Sequence, residues 1–134
     1  MANEAVLKIE THLPINFTCS TTATIEKGAI CQMTSPMTAV LGETIDGVVA
    51  GIAQSEKLAA DTTQTSIAIF RGGVFKVLVS GSASAGDPVS MSGTANTVYK
   101  SSVNVENVVG YMMEDATNGQ TKLMELRPTT MSLA

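Results

Sequence analysis

The sequence contains no tryptophan and few other aromatic residues, and it is also poor in histidine, cysteine and charge. Its 134 residues include two tyrosines, three phenylalanines, one histidine and two cysteines, and 15% of them are charged. An average soluble domain carries about 25% charged residues. The core must therefore be aliphatic. Much of the surface must be covered by Thr, Ser, Asn, Gln and Gly, as is common in β-rich proteins that contact other subunits.

These scarcities weigh against several classes of function. Nucleophilic catalysis by Ser or Cys usually needs a positioned base, and the single histidine, His12, lies beside Pro14 in a segment that predicts no sheltered pocket. One histidine and two cysteines cannot complete the usual four-ligand zinc site without carboxylates. A net charge of -4 with scattered Lys and Arg gives no basic stripe for nucleic acid. We therefore expect no catalytic residue, no metal, no cofactor and no nucleic-acid partner.

The remaining polar motifs predict turns rather than chemistry. Glu114 and Asp115 precede Asn118 and Gly119, which is typical of a solvated turn, whereas an acid/base pair needs one buried member. No glycine-rich loop in the sequence opens a helix whose N-terminus could hold a phosphate. The sequence thus indicates a binding or structural protein.

No segment predicts passage into or across a membrane. The start, residues 1–4, lacks the charged and apolar regions of a signal peptide. No uninterrupted apolar run approaches the roughly 20 residues that span a bilayer. We therefore expect synthesis in a cytoplasm and no membrane partner. In that reducing compartment, buried thiols are favoured for Cys19 and Cys31 over the alternative of a cross-strand disulfide.

Short stretches of alternating or β-branched residues recur along the whole chain and predict an all-β fold. Their regular spacing, with turn residues between them, is typical of a compact β-sandwich or β-barrel. The one segment with helical character, 55–60, is short enough to be a loop. Paired glycines, Gly72 and Gly73, predict a tight hairpin connection over 71–74. The predicted strands are 15–24, 29–33, 38–41, 47–53, 65–70, 74–80, 89–91, 97–99, 108–113 and 121–126.

The first residues predict an extended arm or an edge strand rather than a core strand. Residues 5–10 alternate, with Leu7 and Ile9 on one face and charged residues on the other. Pro14 then interrupts the pattern, because proline has no N–H to donate inside a sheet. We therefore divide the chain into an N-terminal arm of residues 1–14, a single β domain of residues 15–128 and a polar C-terminal tail of residues 129–134.

A weak internal repeat, at a spacing of roughly 58 residues, relates the two halves of the chain. Each half has a turn glycine before an apolar strand, then a glycine inside an apolar run, then a Gln-Thr pair that begins a strand. The turn glycines need a backbone conformation open mainly to glycine, and the others indicate a bulge or a close backbone approach. We expect two similar three-strand units that enclose one core. The paired landmarks are Gly28 and Gly86, Gly51 and Gly110, and Gln64 and Gln120.

The second half also carries a sequence of strand and turn residues that resembles a known family. It comprises Gly73-Val74-Phe75-Lys76-Val77-Leu78-Val79-Ser80, then Ala83-Ser84-Ala85-Gly86-Asp87-Pro88-Val89, then Val109-Gly110-Tyr111 and Glu114-Asp115-Ala116. This order resembles the pattern of tailed-phage capsid decoration proteins, also called cement proteins. The similarity runs over about residues 25–127 and rests on strand and turn residues, not on a catalytic signature.

The resemblance implies a non-enzymatic virion protein, made in the host cytoplasm, that binds the outer capsid surface of the expanded head. It further implies a homotrimer that stabilises the head by bridging subunits of the major capsid protein. In such proteins an N-terminal arm often reaches the shell, and an unpaired edge strand is a ready template for β-augmentation. The residues of the implied capsid-binding arm are Ala2, Asn3, Glu4, Ala5, Val6, Leu7, Lys8, Ile9, Glu10, Thr11, His12 and Leu13.

Two other functions fit an all-β chain of this composition. Another virion component, such as a head-fibre or tail module, would also be β-rich and trimeric, although a fibre should show a shaft repeat or an intertwined tip. A small-molecule-binding β-barrel would need polar groups that converge in an apolar pocket. The sequence shows neither feature, so decoration of a phage head is the favoured interpretation.

Overall fold

The computed structural model describes residues 3–101 and 106–131, and the regular elements in those residues are all β-strands. Most are four to eight residues long, as expected for a chain whose turn residues recur at short intervals. They are β1 (Val6–Ile9), β2 (Ile15–Thr18), β3 (Ile30–Ser35), β4 (Thr38–Leu41), β5 (Val49–Ala53), β6 (Ser66–Phe70), β7 (Gly73–Ser80), β8 (Pro88–Met91), β9 (Thr97–Lys100), β10 (Glu106–Met112) and β11 (Thr121–Met131).

Ten of these strands form two closed barrels with the same connectivity. The first barrel has the strand order β2-β4-β3-β5-β6, in which β2 pairs antiparallel with β6 and parallel with β4. The second barrel has the order β7-β11-β10-β8-β9, in which β7 pairs antiparallel with β11 and parallel with β9. The all-β prediction is confirmed, and the open choice between sandwich and barrel is resolved as a barrel.

The repeat is confirmed, but its units are larger than predicted. Each unit has five strands rather than three, because the short strands β4 and β9 close the barrels through parallel pairing with β2 and β7. Gly28 and Gly86 occupy equivalent turns, with φ of 88° and 91°. Gly51 and Gly110 occupy equivalent positions in β5 and β10. A Cβ on either would lie 2.0 or 2.2 Å from a carbonyl oxygen of the adjacent strand.

The predicted hairpin over 71–74 is wrong. β6 and β7 belong to different barrels and do not pair with each other, so Gly72 and Gly73 join the two units. Gly73 has a φ of 128°, whereas Gly72 is not among the positive-φ residues. The paired glycines allow close packing of a neighbouring segment, since a Cβ on Gly72 would lie 2.3 Å from His12 Nδ1.

The apolar residues form two clusters rather than the single predicted core. One fills the first barrel with a mixture of large and small side chains and includes Phe17, Cys31, Ala50 and Ile69. The other fills the second barrel and continues between the barrels. The outward-facing residues of the first barrel that join this second cluster are Ile30, Val49, Ile52 and Phe70.

Polar contacts fix the two barrels against each other. The Ile30 N–H donates to Asn96 Oδ1 at 3.1 Å in a buried position. Asp46 receives a hydrogen bond from Tyr99 Oη at 2.7 Å, and its N–H donates to Met91 O at 3.0 Å. The Asn107 side-chain amide of the second barrel also donates to Asp46 O at 3.0 Å. Because satisfied hydrogen bonds specify one arrangement, these contacts favour a single packing of the two barrels.

The strand bounds differ from prediction most at the two ends of the described chain. The predicted strand over 15–24 shortens to β2, and β11 continues past the predicted end at 126 to Met131. Pro128 does not end β11, because Gly110 pairs with Leu126 and Val108 with Thr129, which leaves Arg127 and Pro128 in a bulge. Residues 129–131, assigned to the predicted tail, thus lie in β11, and residues 132–134 lie outside the described residues.

Both cysteines are free and buried, which confirms the prediction of buried thiols. Burial raises the pKa of Cys31 from 9.0 to about 12 and also raises the pKa of Cys19, for which the charge of Lys57 partly compensates. We expect neither thiol to react with an aromatic disulfide reagent at pH 8 until the protein is unfolded in guanidinium.

The Cys31 pKa also predicts a loss of stability at high pH. The unfolded thiol loses its proton near pH 9, whereas the folded thiol keeps it to about pH 12, so stability falls as pH rises through this window. From pH 9 to 10.5 the expected loss is about 2 kcal/mol, measurable by denaturant titration. A Cys31→Ala variant should show a shallower fall, and an unchanged slope would contradict the assignment.

Candidate functional site

The most exposed strand in the described chain is β1. It lies at the end of the strand order and pairs antiparallel with β7 through Val6 with Lys76, Leu7 with Phe75 and Ile9 with Val74. All four of its residues are exposed, including Val6 at 51% and Ile9 at 56%. The prediction of an edge strand is therefore confirmed, whereas an arm that extends away from the domain is not.

The segment around β1 is held at a few points by glycines. The Ala5 N–H donates to Gly28 O at 2.8 Å, and a Cβ on Gly28 would lie 2.4 Å from Ala5 O. A Cβ on Gly73 would lie 3.2 Å from Ile9 O. Turns without side chains thus let the N-terminal segment lie flat against both barrels.

A groove runs between β1 and the first barrel. Its volume is about 570 Å³, and its walls include Val6 and Leu7 on one side and Gly28, Ala53 and Phe70 on the other. Phe75 also lines the groove and packs edge-on against Phe70, with ring centroids 5.7 Å apart. An unpaired strand edge beside an open apolar groove is suited to binding an extended peptide.

Charged residues surround this groove. Glu4, Glu10 and Lys27 contribute to its walls. A hydrogen bond with the Glu4 carboxyl lowers the pKa of Glu26 at this end of the first barrel. The groove therefore combines an apolar floor with a mainly acidic rim, an arrangement typical of a protein-binding surface rather than of a catalytic pocket.

Most of the predicted arm residues lie together on this side of the molecule. Residues 3–13 run along β7 and over the connection between the barrels, and Ala2 lies outside the described residues. His12 is exposed, its ring against Gly72 and its Nδ1 2.8 Å from Thr11 Oγ1. Leu13 is 81% exposed.

A second exposed apolar patch was not predicted. Leu13 precedes β2, Ile15 begins it and Met37 lies in the β3–β4 turn, and the three are 81%, 46% and 48% exposed. The Thr18 N–H donates to Met37 O at 2.7 Å, which brings the β3–β4 turn next to β2. These side chains come from separate stretches of the sequence, so their spacing does not predict a shared surface. The one local signal is the pair of apolar residues that flank Pro14, Leu13 and Ile15.

Within residues 3–101 and 106–131, no group of three His, Cys, Asp or Glu side chains is placed to hold a metal ion. The same residues contain no helix long and apolar enough to cross a membrane. The exposed strand β1 and the two apolar surfaces beside it are therefore the features that a functional interpretation has to explain.

Comparison with known proteins identifies a family match and a relative with a similar fold. The sequence model of the phage cement protein family matches residues 9–128, which is most of the chain. No curated protein matches the sequence at a significant level. Among solved structures, the chain is similar to the head fiber gp8.5 N base of bacteriophage phi29, with a TM-score of 0.56 and 14% identity. That similarity covers 84% of this chain and 93% of the other, and at this identity it shows the fold alone.

Proposed function

The chain belongs to the phage cement protein family and is a structural, capsid-associated protein of a phage head; from this premise we propose that it decorates the outer surface of the expanded head and bridges subunits of the major capsid protein. The observation that carries the proposal is the match over residues 9–128, joined to an exposed strand at the edge of the second barrel. The proposed action is binding and not catalysis.

Residues 2–13 are the proposed capsid-binding segment. β1 offers both an unpaired backbone edge and exposed apolar side chains, and a strand of a capsid subunit could pair with that edge. The other described residues are packed in two closed barrels, so the ordering cost of docking would be confined to one short segment and its partner.

We also propose that the protein acts as a homotrimer. Three copies that engage neighbouring subunits together gain avidity, because each later contact forms at a high effective concentration. Individually weak contacts could then hold a large shell against internal pressure. Sedimentation equilibrium of the free protein should give three times the mass of the chain, and a monomer mass would move trimer formation to the capsid surface.

The test of decoration uses expanded, undecorated heads and unexpanded procapsids of the same phage. The purified protein is incubated with each, and co-sedimentation is measured across a concentration series. Decoration predicts saturable binding to expanded heads at many copies per head, and little binding to procapsids. A folded protein that binds neither particle would refute the proposal.

We expect the double substitution Val6→Ser and Ile9→Ser to weaken binding to expanded heads by about tenfold or more, because each apolar side chain loses its burial against the shell. Both side chains are exposed in the free protein, so its melting temperature should change little. The matched control is Met113→Ser, which removes an equally exposed apolar side chain, 51%, from the second barrel. Equal losses in both variants would reject β1 as the docking strand.

A head-fibre base is the second candidate function. The fold relative in phi29 is the base of a head fibre, so the fold by itself does not separate the two functions. Stoichiometry separates them, because a cement protein should occupy sites across the whole expanded surface. Saturation at only a few copies per head would favour the fibre base.

A further inference from the structure

The two barrels are equivalent strand by strand, and this equivalence extends to the strand edge that holds β1. Thr18 pairs with Thr38 in the first barrel, as Leu78 pairs with Thr97 in the second. Counting back along each strand places Ile15 at the position of Phe75 and Asn16 at the position of Lys76. The β1 strand pairs with Phe75 and Lys76. The first barrel therefore has its own version of the edge that β1 covers on the second.

That edge of the first barrel is open in the described chain. β2 pairs with β6 on one side, whereas on the other side it meets β4 only through Thr18 and Thr38. The Cys19 N–H points to β6, where it donates to Thr65 O, and the Thr18 N–H points to Met37 O. Because backbone groups alternate along a strand, the N–H and C=O of Asn16 point away from β6 toward the open side.

Two apolar residues at or next to this open edge, Ile15 and Met37, are exposed, and their equivalents in the second barrel are buried, whereas Asn16 and its equivalent Lys76 are both exposed. Phe75 is 1% exposed, while Ile15 at the same position is 46% exposed. Asn96, which has a φ of 60° at the tip of the β8–β9 turn, is 1% exposed and bonds to Ile30. Its equivalent Met37 has a φ of 51° and is 48% exposed. The apolar patch of Leu13, Ile15 and Met37 is thus the uncovered counterpart of a covered surface.

The face that covers the end of the second barrel is not repeated on a second copy of this chain. The end of the second barrel is covered by an apolar face of the first barrel that includes Ile52 and Phe70. The positions equivalent to these two residues in the second barrel are Tyr111 and Glu125, as the pairs Ile52 with Phe70 and Tyr111 with Glu125 show. Arg127 lies over the Tyr111 ring at 5.1 Å and contacts Glu125 at 3.8 Å, which makes this face charged. A neighbouring copy therefore cannot repeat the barrel-to-barrel contact.

The number of strands that each copy can offer also argues against a second copy as the occupant of this edge. Each copy has two equivalent acceptor edges, on β7 and on β2, and among its described residues only β1 lies across such an edge. Copies that exchange β1 would fill one edge by emptying another. Exchange of β1 between copies therefore leaves one acceptor edge without a strand.

We infer that the open edge of β2, at residues 14–16, binds an extended segment of the capsid shell subunit as an added antiparallel strand. The inference rests on the proposed function and gives it a second contact site. By analogy with Leu7 opposite Phe75, the segment should place an apolar residue opposite Ile15. The residue opposite Asn16 should exchange two backbone hydrogen bonds with it, as the register of Val6 with Lys76 indicates. Leu13 and Met37 would then cover the apolar flank of the segment.

The test compares two substitutions at one position in the full-length chain. Asn16→Pro removes the outward N–H, and we expect it to weaken binding to expanded heads by about tenfold, the cost of one unmade buried hydrogen bond. Asn16→Ala keeps the N–H and removes only the exposed side chain, so it should bind like the wild type. Equal binding by all three proteins would overturn the inference.

Hydrogen exchange in the wild-type protein gives a readout that does not depend on the folding of the proline variant. The Asn16 amide should exchange quickly in the free protein and at least tenfold more slowly on expanded heads. Wild-type protein that binds heads without this protection would overturn the inference and leave the proposed function standing. Protection already present in the free oligomer would assign the edge to a second copy, against our inference. Wild-type protein that binds no heads would refute the proposed function and the inference together.

Discussion

Replacing Gly51 or Gly110 with alanine should destabilise the protein by about 3–5 kcal/mol and lower its melting temperature by roughly 10 °C or more. A Cβ on Gly51 would lie 2.0 Å from Phe70 O, and one on Gly110 would lie 2.2 Å from Glu125 O. Both contacts are with backbone oxygens of the paired strand, so neither can be relieved by a change of rotamer. The strand pairs that close each barrel, β5 with β6 and β10 with β11, would have to separate locally.

The matched control is Gly86→Ala. Gly86 has a φ of 91°, yet no described atom lies within 4 Å of its added Cβ. This variant should lose only about 1–2 kcal/mol, the cost of the left-handed backbone conformation. Thermal and denaturant unfolding of the three variants would separate close approach from backbone strain. Similar losses in all three variants would contradict close approach to a backbone oxygen as the main cause of the losses at Gly51 and Gly110.

The same glycines show what local sequence can predict. The alternation of apolar residues and the positions of Gly28, Gly86, Gly51 and Gly110 are short-range signals, and they correctly indicate an all-β chain with two similar units. Each signal depends on one residue's own backbone or on one adjacent strand. Closure of five strands depends instead on parallel pairs between distant segments, β2 with β4 and β7 with β9, which leave no short-range pattern.

The third feature of the repeat, the Gln-Thr pair that begins a strand in each half, is one whose strand register the sequence does not reveal. The Gln64 and Gln120 pairs align in sequence, but the structure shifts them by one residue. The Cys19 N–H donates to Thr65 O and the equivalent Val79 N–H donates to Gln120 O, so Thr65 corresponds to Gln120. A one-residue slip exchanges the two faces of a strand. Because of this shift, Phe70 and Glu125 occupy equivalent positions, yet Phe70 packs between the barrels and Glu125 faces solvent. The sequence could not predict this difference without the arrangement of the barrels.

The candidate site likewise has one part that the sequence could predict and one part that it could not. An exposed edge strand over Val6–Ile9 could be predicted, because its alternation and the following Pro14 are adjacent in sequence. The patch of Leu13, Ile15 and Met37 could not, because the β3–β4 turn reaches β2 only in the folded barrel. The meaning of that patch depends further on a comparison with Phe75 and Asn96, which requires both barrels.

Lys57→Met should cost about 3 kcal/mol of stability, the second large effect that the structure predicts. Lys57 is fully buried, and its ammonium donates to the carbonyl oxygens of Thr21, Ala23 and Leu58. Methionine keeps an apolar stem but leaves these main-chain oxygens without their donor. Replacement of a buried charge is often tolerated when its partners are replaced too, but backbone carbonyls cannot be replaced.

The effect should be local to the first barrel. Lys57 forms an isolated β-bridge with Ile25, and the equivalent bridge in the second barrel joins Ala83 to Ala116. The second barrel therefore has an alanine, Ala116, at the position that Lys57 occupies in the first. Hydrogen exchange should therefore accelerate in the loop of residues 20–24 more than in its counterpart of the second barrel. Lys27→Met, at an exposed position, is the matched control and should change stability by no more than about 0.5 kcal/mol. If both methionine variants melt together with the wild type, the Lys57 ammonium does not hold the loop that closes this end of the first barrel.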